Sequence, residues 1–258
     1  FSYGDYLKYW KVDEDEDGAY DNVRIIDCDE SATTVEIPAE IDNLPVTEIM
    51  DYAFSECEKL SAINVSSGNN NYISIDGVLF NKDKTELEQY PAEKSETMFI
   101  IPNSVTKIDE NAFCGCTSLE EITIPDSVTE IGKSAFYGTQ LIETQDGVEY
   151  VGKWVVGSDK DITSAEIKDG TKGIACSAFL SRNNLATISI PDSVTNIGEN
   201  AFYETQLMEN QDGINYVGKW IVSVDSNMTS VEIREGTIGI ADCAFFVCSN
   251  ISGITIPE

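Results

Sequence analysis

A phrase of 23 residues repeats along this chain, and this short fixed period restricts the possible folds more than any other feature. The segment Ile101-Pro-Asn-Ser-Val-Thr-Lys-Ile108 is followed by Ala112-Phe113, and the phrase starts again at Ile124-Pro-Asp-Ser-Val-Thr-Glu-Ile131, followed by Ala135-Phe136. Repeats of this length are typical of solenoids, in which each unit contacts only its neighbours. The sequence therefore predicts a stack of coils.

The Ala-Phe pair marks six copies of the unit, and a longer period lies over the short one. The pairs are Ala53-Phe54, Ala112-Phe113, Ala135-Phe136, Ala178-Phe179, Ala201-Phe202 and Ala244-Phe245. The segment from Gln140 to Trp154 recurs 66 residues later as the segment from Gln206 to Trp220. We infer that a block of two units and an insert was duplicated in tandem.

Each unit has the alternation of a half-buried strand. In Leu119-Glu-Glu-Ile-Thr-Ile124, apolar residues alternate with Glu121 and Thr123, and Pro125 then ends the strand because it has no N–H to donate. One unit buries too little apolar surface to offset the entropy of ordering its backbone, so units must stack. We expect an α/β solenoid of mostly short parallel strands, with each Ala-Phe pair in a helical or irregular turn.

The segments between the repeats are predicted to be β-hairpins. Val148–Val151 and the strand that begins at Trp154 flank a two-residue turn, Gly152-Lys153, in which glycine comes first. We expect such inserts near residues 72–90, 145–157 and 211–223. A further hairpin at 1–30 is expected to cap a solenoid that covers 31–258.

These phrases resemble the bacterial BspA-like leucine-rich repeat family. The resemblance is carried by the Ile-Pro-x-Ser-Val-Thr-x-Ile-Gly-x-x-Ala-Phe stretches at 101–113, 124–136 and 190–202, and by the opening segment 37–49. It implies a leucine-rich-repeat solenoid that is secreted or displayed on the cell surface and takes part in adhesion to host matrix proteins or other cells. The resemblance supplies no catalytic motif and no assigned ligand.

Composition excludes several classes of function. The formal net charge is −30 with 16 basic residues, which disfavours nucleic acid and anionic membranes as partners. The chain has no histidine, which removes Ser-His-Asp and Cys-His catalytic sites and histidine metal ligands. No apolar run is long enough to span a membrane. We therefore predict a non-enzymatic protein that needs no cofactor.

The two ends of the chain suggest a longer protein. The first residue is Phe1 rather than methionine, and the last repeat stops in mid-phrase at Pro257-Glu258. We therefore expect an export signal upstream and an extracellular or surface location.

The seven cysteines do not have the pattern of a disulfide framework. Cys57, Cys116 and Cys248 each lie four residues after the alanine of an Ala-Phe pair. Such thiols are expected to be buried as small apolar groups inside the turn. No partner can be inferred for Cys28, Cys176 or Cys243, and the odd total argues against complete pairing.

An acidic run near the N-terminus is a weak calcium candidate. Asp13, Asp15 and Asp17, followed by Gly18, match the first half of a calcium loop, but the position of the bidentate glutamate is Arg24. The flanking segments also have the pattern of strands. An acidic hairpin turn within the cap is the alternative.

The solvent face of the sheet is the predicted binding surface, because solenoids present extended surfaces to their partners. Its candidate residues are Glu36, Asn64, Glu121, Thr123, Glu166, Ser189, Glu232 and Thr255. These small hydroxyl and acidic groups suit a large, flat or basic protein partner.

Two other functions remain open. Trp154 and Trp220 could form a sugar-binding platform, although each also has the neighbours expected of a packing residue. The solenoid could instead be a structural spacer that displays another domain.

Overall fold

The computed structural model describes residues 1–257 and divides into two compact units. Unit 1 consists of Phe1–Val128 and Ser134–Leu141, and unit 2 consists of Thr129–Lys133 and the chain from Ile142 onwards. The described residues of both units form β-strands and turns, and no helix occurs among them. The expected solenoid is confirmed. The Ala-Phe pairs lie in turns, which is one of the two forms expected for them, and the helical form does not occur among the described residues.

Unit 1 contains thirteen strands. They are β1 (Ser2–Tyr3), β2 (Leu7–Val12), β3 (Asn22–Cys28), β4 (Thr34–Ile37), β5 (Glu40–Ile41), β6 (Leu44–Ile49), β7 (Ala62–Val65), β8 (Tyr72–Ile75), β9 (Val78–Asn81), β10 (Glu86–Gln89), β11 (Met98–Ile100), β12 (Lys107–Ile108) and β13 (Glu121–Thr123).

Unit 2 contains the other fourteen. They are β14 (Glu130–Ile131), β15 (Glu143–Gln145), β16 (Val148–Val151), β17 (Trp154–Ser158), β18 (Ser164–Glu166), β19 (Gly173–Ile174), β20 (Thr187–Ser189), β21 (Asn196–Ile197), β22 (Glu209–Gln211), β23 (Ile214–Val217), β24 (Trp220–Val224), β25 (Ser230–Glu232), β26 (Gly239–Ile240) and β27 (Gly253–Thr255). Since no helix occurs in the described part of the chain, none is available there to span a membrane.

The N-terminal hairpin joins the first coil directly. Strands β2 and β3 pair antiparallel, and β3 pairs in parallel with β6, with Val23 beside Val46. The hairpin therefore supplies the first strand of the stack, which confirms the expected cap. The predicted domain boundaries at 1–30 and 31–258 stay a prediction.

The mostly aliphatic core of each unit contains aromatic rings that stack between successive coils. In unit 1, the Phe113 ring stacks on Phe136 at 5.2 Å and on Tyr90 at 5.3 Å between centroids. In unit 2, the rings of Phe179 and Phe202 stack at 5.6 Å. All five residues are buried. The stacked rings provide apolar contacts that a single 23-residue repeat cannot make by itself.

The inserts are three-stranded rather than simple hairpins. In unit 2, β15 pairs with β16 and β16 pairs with β17, while β17 also pairs in parallel with β19. The predicted Gly152-Lys153 turn is present, and Gly152 has a φ of +57°. A second turn precedes it at Asp146-Gly147, where both residues have positive φ, as a type I′ hairpin turn requires. The last strand of the insert is thus a regular member of the stack.

Candidate functional site

The predicted binding face consists of side chains on the short parallel strands, and all of them are exposed. They are Glu36, Asn64, Glu121, Thr123, Glu166, Ser189, Glu232 and Thr255. The burial pattern of β4, in which Val35 and Ile37 are buried on either side of Glu36, shows why. Successive side chains of a strand point to opposite faces, so one set is buried in the core and the other is exposed to solvent.

In unit 2, register brings the predicted residues together in pairs. Glu166 lies beside Ser189 in the two-stranded sheet of β18 and β20, and Glu232 lies beside Thr255 in that of β25 and β27. These two sheets are separate. Each therefore presents one carboxylate next to one hydroxyl on its solvent side.

In unit 1, Glu36 lies beside Asn64 in the two-stranded sheet of β4 and β7, which does not continue to β11. The insert takes the free edge of β7: the N–H of Ile63 donates to the Gly77 carbonyl at 2.9 Å, and the N–H of Val65 donates to Ser74 Oγ at 3.2 Å. The same strand cannot also pair with β11. The face is consequently a set of short patches.

The patch on β11 and β13 differs from the others because it is partly apolar. Met98 lies beside Glu121 and Ile100 lies beside Thr123. Met98 and Ile100 are 54% and 66% exposed. This patch combines an exposed carboxylate with two exposed apolar side chains.

The face has unpaired negative charge. Within residues 1–257, the carboxylates of Glu36, Glu121, Glu166 and Glu232 make no ion pair. An arriving cationic group would not have to displace an existing partner.

The sugar platform expected at Trp154 and Trp220 does not fit the structure, since these side chains are 2% and 5% exposed. Each indole lies against a glycine of the next coil, and a Cβ atom added to Gly173 or Gly239 would lie 2.3 Å from the ring. Packing between coils therefore buries both indoles, which leaves no exposed ring on which a sugar could stack. Of the three tryptophans, only Trp10 is exposed.

The acidic turn lies between β2 and β3, and it brings together a different set of residues from the predicted one. Carboxylate oxygens of Asp13, Asp15 and Asp21 lie within 4.8 Å of one another. Asp17 is outside this group, and its carboxylate instead accepts the N–H of Ala19 at 2.8 Å. The predicted hairpin turn is therefore present. Calcium binding stays a prediction, with Asp21 replacing Asp17 among the candidate ligands.

A cluster of carboxyl groups around Glu88 was not found from the sequence. Burial, followed by the nearby charges of Glu86 and Asp109, raises the pKa of Glu88 to about 8. Lys107 forms an ion pair with Glu86 and another with Asp109, the latter at 3.1 Å. Such a shift can mark an active site or a structural ion-pair network. The paired lysine favours the network.

Replacing Glu88 by glutamine is expected to make the protein more stable in alkaline solution. The folded-state pKa lies above the ordinary value, so the stability contributed by the neutral carboxyl is lost as pH rises from about 4.5 towards about 8. Glutamine stays neutral, and Glu88→Gln should gain up to about 5 kcal/mol over wild type near pH 9 and little near pH 4. Urea unfolding at both pH values measures this, with exposed Glu93→Gln as the control. An equal gain at both pH values would contradict it.

Comparison with known proteins identifies the repeat. The family profile described as "BspA type Leucine rich repeat region" matches in six copies, over residues 27–97, 88–209 and 157–258. A leucine-rich repeat protein from Eubacterium ventriosum matches at 25% identity over 87% of this chain and 49% of its own, with a TM-score of 0.41. A leucine rich cell surface protein from Faecalibacterium prausnitzii matches at 26% identity over 88% of this chain and 48% of its own, with a TM-score of 0.42.

The chain spans about half the length of these two solved structures. A search of curated proteins found no significant match.

Proposed function

Because the chain belongs to the BspA-type leucine-rich repeat family, we propose that it is a non-enzymatic binding module that recognises a protein partner through its exposed strand faces. We further propose that it is secreted or displayed on a bacterial cell surface. The observation that supports binding is the repeated exposure of polar side chains at one strand position, such as Glu166 and Glu232, above a buried core. A rigid backbone holds these groups at fixed spacings.

The proposed partner is a basic or flat protein surface, such as that of a host matrix protein or another cell. The chain carries a net charge of −30, and the four glutamates of the face have no ion-pair partner within the described residues. Complementary charge steers association and is screened by salt. The exposed Met98 and Ile100 would add apolar contact area on the unit 1 patch.

The double variant Glu166→Gln, Glu232→Gln is expected to weaken partner binding about tenfold at low salt, because it removes two carboxylates from the face. A binding screen against extracellular matrix proteins, at low and high salt, first finds the partner. The affinity of the variant is then measured by surface plasmon resonance.

The chain offers a matched control. Asp169 and Glu235 lie three residues after the two glutamates and are exposed. The variant Asp169→Asn, Glu235→Gln changes the net charge equally and should bind nearly as well as wild type. If both variants lose affinity equally, the strand face is not the site. If no protein binds at either salt concentration, the spacer alternative is favoured.

A further inference from the structure

One contact between neighbouring coils recurs in four places. The residue four positions after the alanine of an Ala-Phe pair reaches back to the main chain of the preceding coil. Cys116 Sγ lies 3.6 Å from the Tyr90 carbonyl oxygen, and Cys248 Sγ lies 3.5 Å from that of Val224. In a third coil this position is Arg182, whose Nη2 donates to the Ser158 carbonyl oxygen at 2.7 Å. The geometry of the coil therefore fixes which two residues meet.

In the first coil the two residues that meet are both cysteines. Cys57 Sγ lies 3.4 Å from the carbonyl oxygen of Cys28 and 3.6 Å from that of Asp29. Cys28 Sγ lies 3.7 Å from the same Asp29 oxygen. Both thiols therefore lie against one carbonyl oxygen, and both residues are 2% exposed. At the other three contacts, the residue equivalent to Cys28 is Tyr90, Ser158 or Val224.

We propose that Cys28 and Cys57 form a disulfide bond when the protein meets an oxidant of the small-molecule disulfide class. Both thiols are free in this structure. The bond would join the end of β3 to the turn that follows β6, and so tie the N-terminal hairpin to the first coil. Disulfides persist in extracellular compartments, so the proposed location would allow the bond to last.

The two thiols react one after the other. The interaction between the two neighbouring thiols lowers the pKa of Cys57 and raises that of Cys28, so Cys57 forms the thiolate first. The Cys57 thiolate attacks one sulfur of oxidised glutathione, and one glutathione leaves as a thiolate. Cys28 then loses its proton and attacks the Cys57 sulfur of the mixed disulfide. The second glutathione leaves, so two protein thiols are oxidised and one glutathione disulfide is reduced to two thiols.

The surroundings offer a route for the oxidant. An open, mostly polar cleft is lined by Cys28 together with Lys8, Glu30 and Lys59. Local opening at this cleft would expose the pair without unfolding the stack.

Intact wild-type protein, treated with oxidised glutathione and alkylated after denaturation, provides the test. Trypsin leaves both cysteines on one peptide, residues 25–59, because no lysine or arginine separates them. We expect this peptide to be unalkylated and lighter by two hydrogens, while the other five cysteines are alkylated. Cleavage after glutamate then yields two peptides joined by a disulfide. Seven alkylated cysteines, or pairing of Cys57 with another thiol, would overturn the proposal.

A thermal measurement separates a native bond from a misfolded one. The oxidised protein should unfold about 5–10 °C above the reduced protein, since the bond closes a loop of the unfolded chain. Cys28→Ser should abolish this difference. Cys116→Ser, which changes the equivalent position opposite Tyr90, should leave it intact. A Cys28–Cys57 bond that lowers the melting temperature would show that the native structure does not accommodate it.

Discussion

Replacing Phe113 by alanine is expected to lower the free energy of unfolding by about 4 kcal/mol. Its ring is fully buried between those of Tyr90 and Phe136, with centroids 5.3 and 5.2 Å away. Alanine would leave a void with an aromatic ring on either side, and both rings belong to coils whose backbones are hydrogen-bonded in place. Because the site cannot collapse, the cost should be near the upper end for large-to-small substitutions.

Urea unfolding followed by far-ultraviolet circular dichroism measures this loss. Tyr137→Ala is the matched control, because Tyr137 follows Phe136 directly and is 69% exposed. It should change stability by less than about 0.5 kcal/mol. Phe113→Leu should give an intermediate loss. If Phe113→Ala and Tyr137→Ala have the same small effect, the stacked rings do not hold the coils of unit 1 together.

The repeat unit could be predicted from the sequence because its signals are local and occur many times. The Ala-Phe pairs located the buried rings, and the alternation in segments such as 119–124 located the strands. Six copies with one pattern reduce the effect of any misleading residue. Because the strand pattern occurs in several copies, the exposed positions of the strands could be predicted, and all eight predicted face residues are exposed in the structure.

The pairing between coils could not be predicted in the same way. A repeated strand pattern indicates which side chains are exposed, but not which strand edge receives the next hydrogen bonds. The insert that follows β7 competes for that edge and divides the face into patches. Its Asp76-Gly77 turn is a strong hairpin signal and could have indicated the extra strand.

Contacts between residues that are distant in sequence could not be predicted from the repeat pattern either. Trp154 is buried because Gly173 leaves room for its ring, and Trp220 is buried because Gly239 does so. Nothing in either tryptophan segment alone distinguishes a packed indole from an exposed one. Cys28 had no inferred partner because its neighbour, Cys57, is 29 residues away and becomes adjacent only when the coils stack.

Replacing Gly198 by alanine is expected to cost about 3 kcal/mol through overpacking. A Cβ atom there would lie 2.4 Å from the nitrogen of Cys176 and 2.8 Å from the carbonyl carbon of Ala175. These are backbone atoms of the preceding coil, so no rotamer change relieves the clash. The N–H of Gly198 also donates to the Ile174 carbonyl at 2.8 Å, and separating the coils would weaken this bond.

Gly253→Ala is the matched control in the same unit. Gly253 has no atom within 4 Å of its added Cβ and no positive φ, so alanine there should be neutral or slightly stabilising. Urea unfolding compares the two variants. A loss of less than about 1 kcal/mol in Gly198→Ala would mean that the coils can move apart at little cost.

A second substitution tests where the clash lies. Ala175 occupies the position of the preceding repeat that is equivalent to Gly198. One explanation for the glycine is therefore that a methyl group at position 198 would clash with the methyl group of Ala175. The distances attribute it to the backbone of Ala175 and Cys176 instead. Ala175→Gly should therefore fail to restore the stability of Gly198→Ala. If the double variant recovers wild-type stability, the clash is with the methyl group of Ala175. A small shift of the coils would then be enough to relieve the close backbone contact.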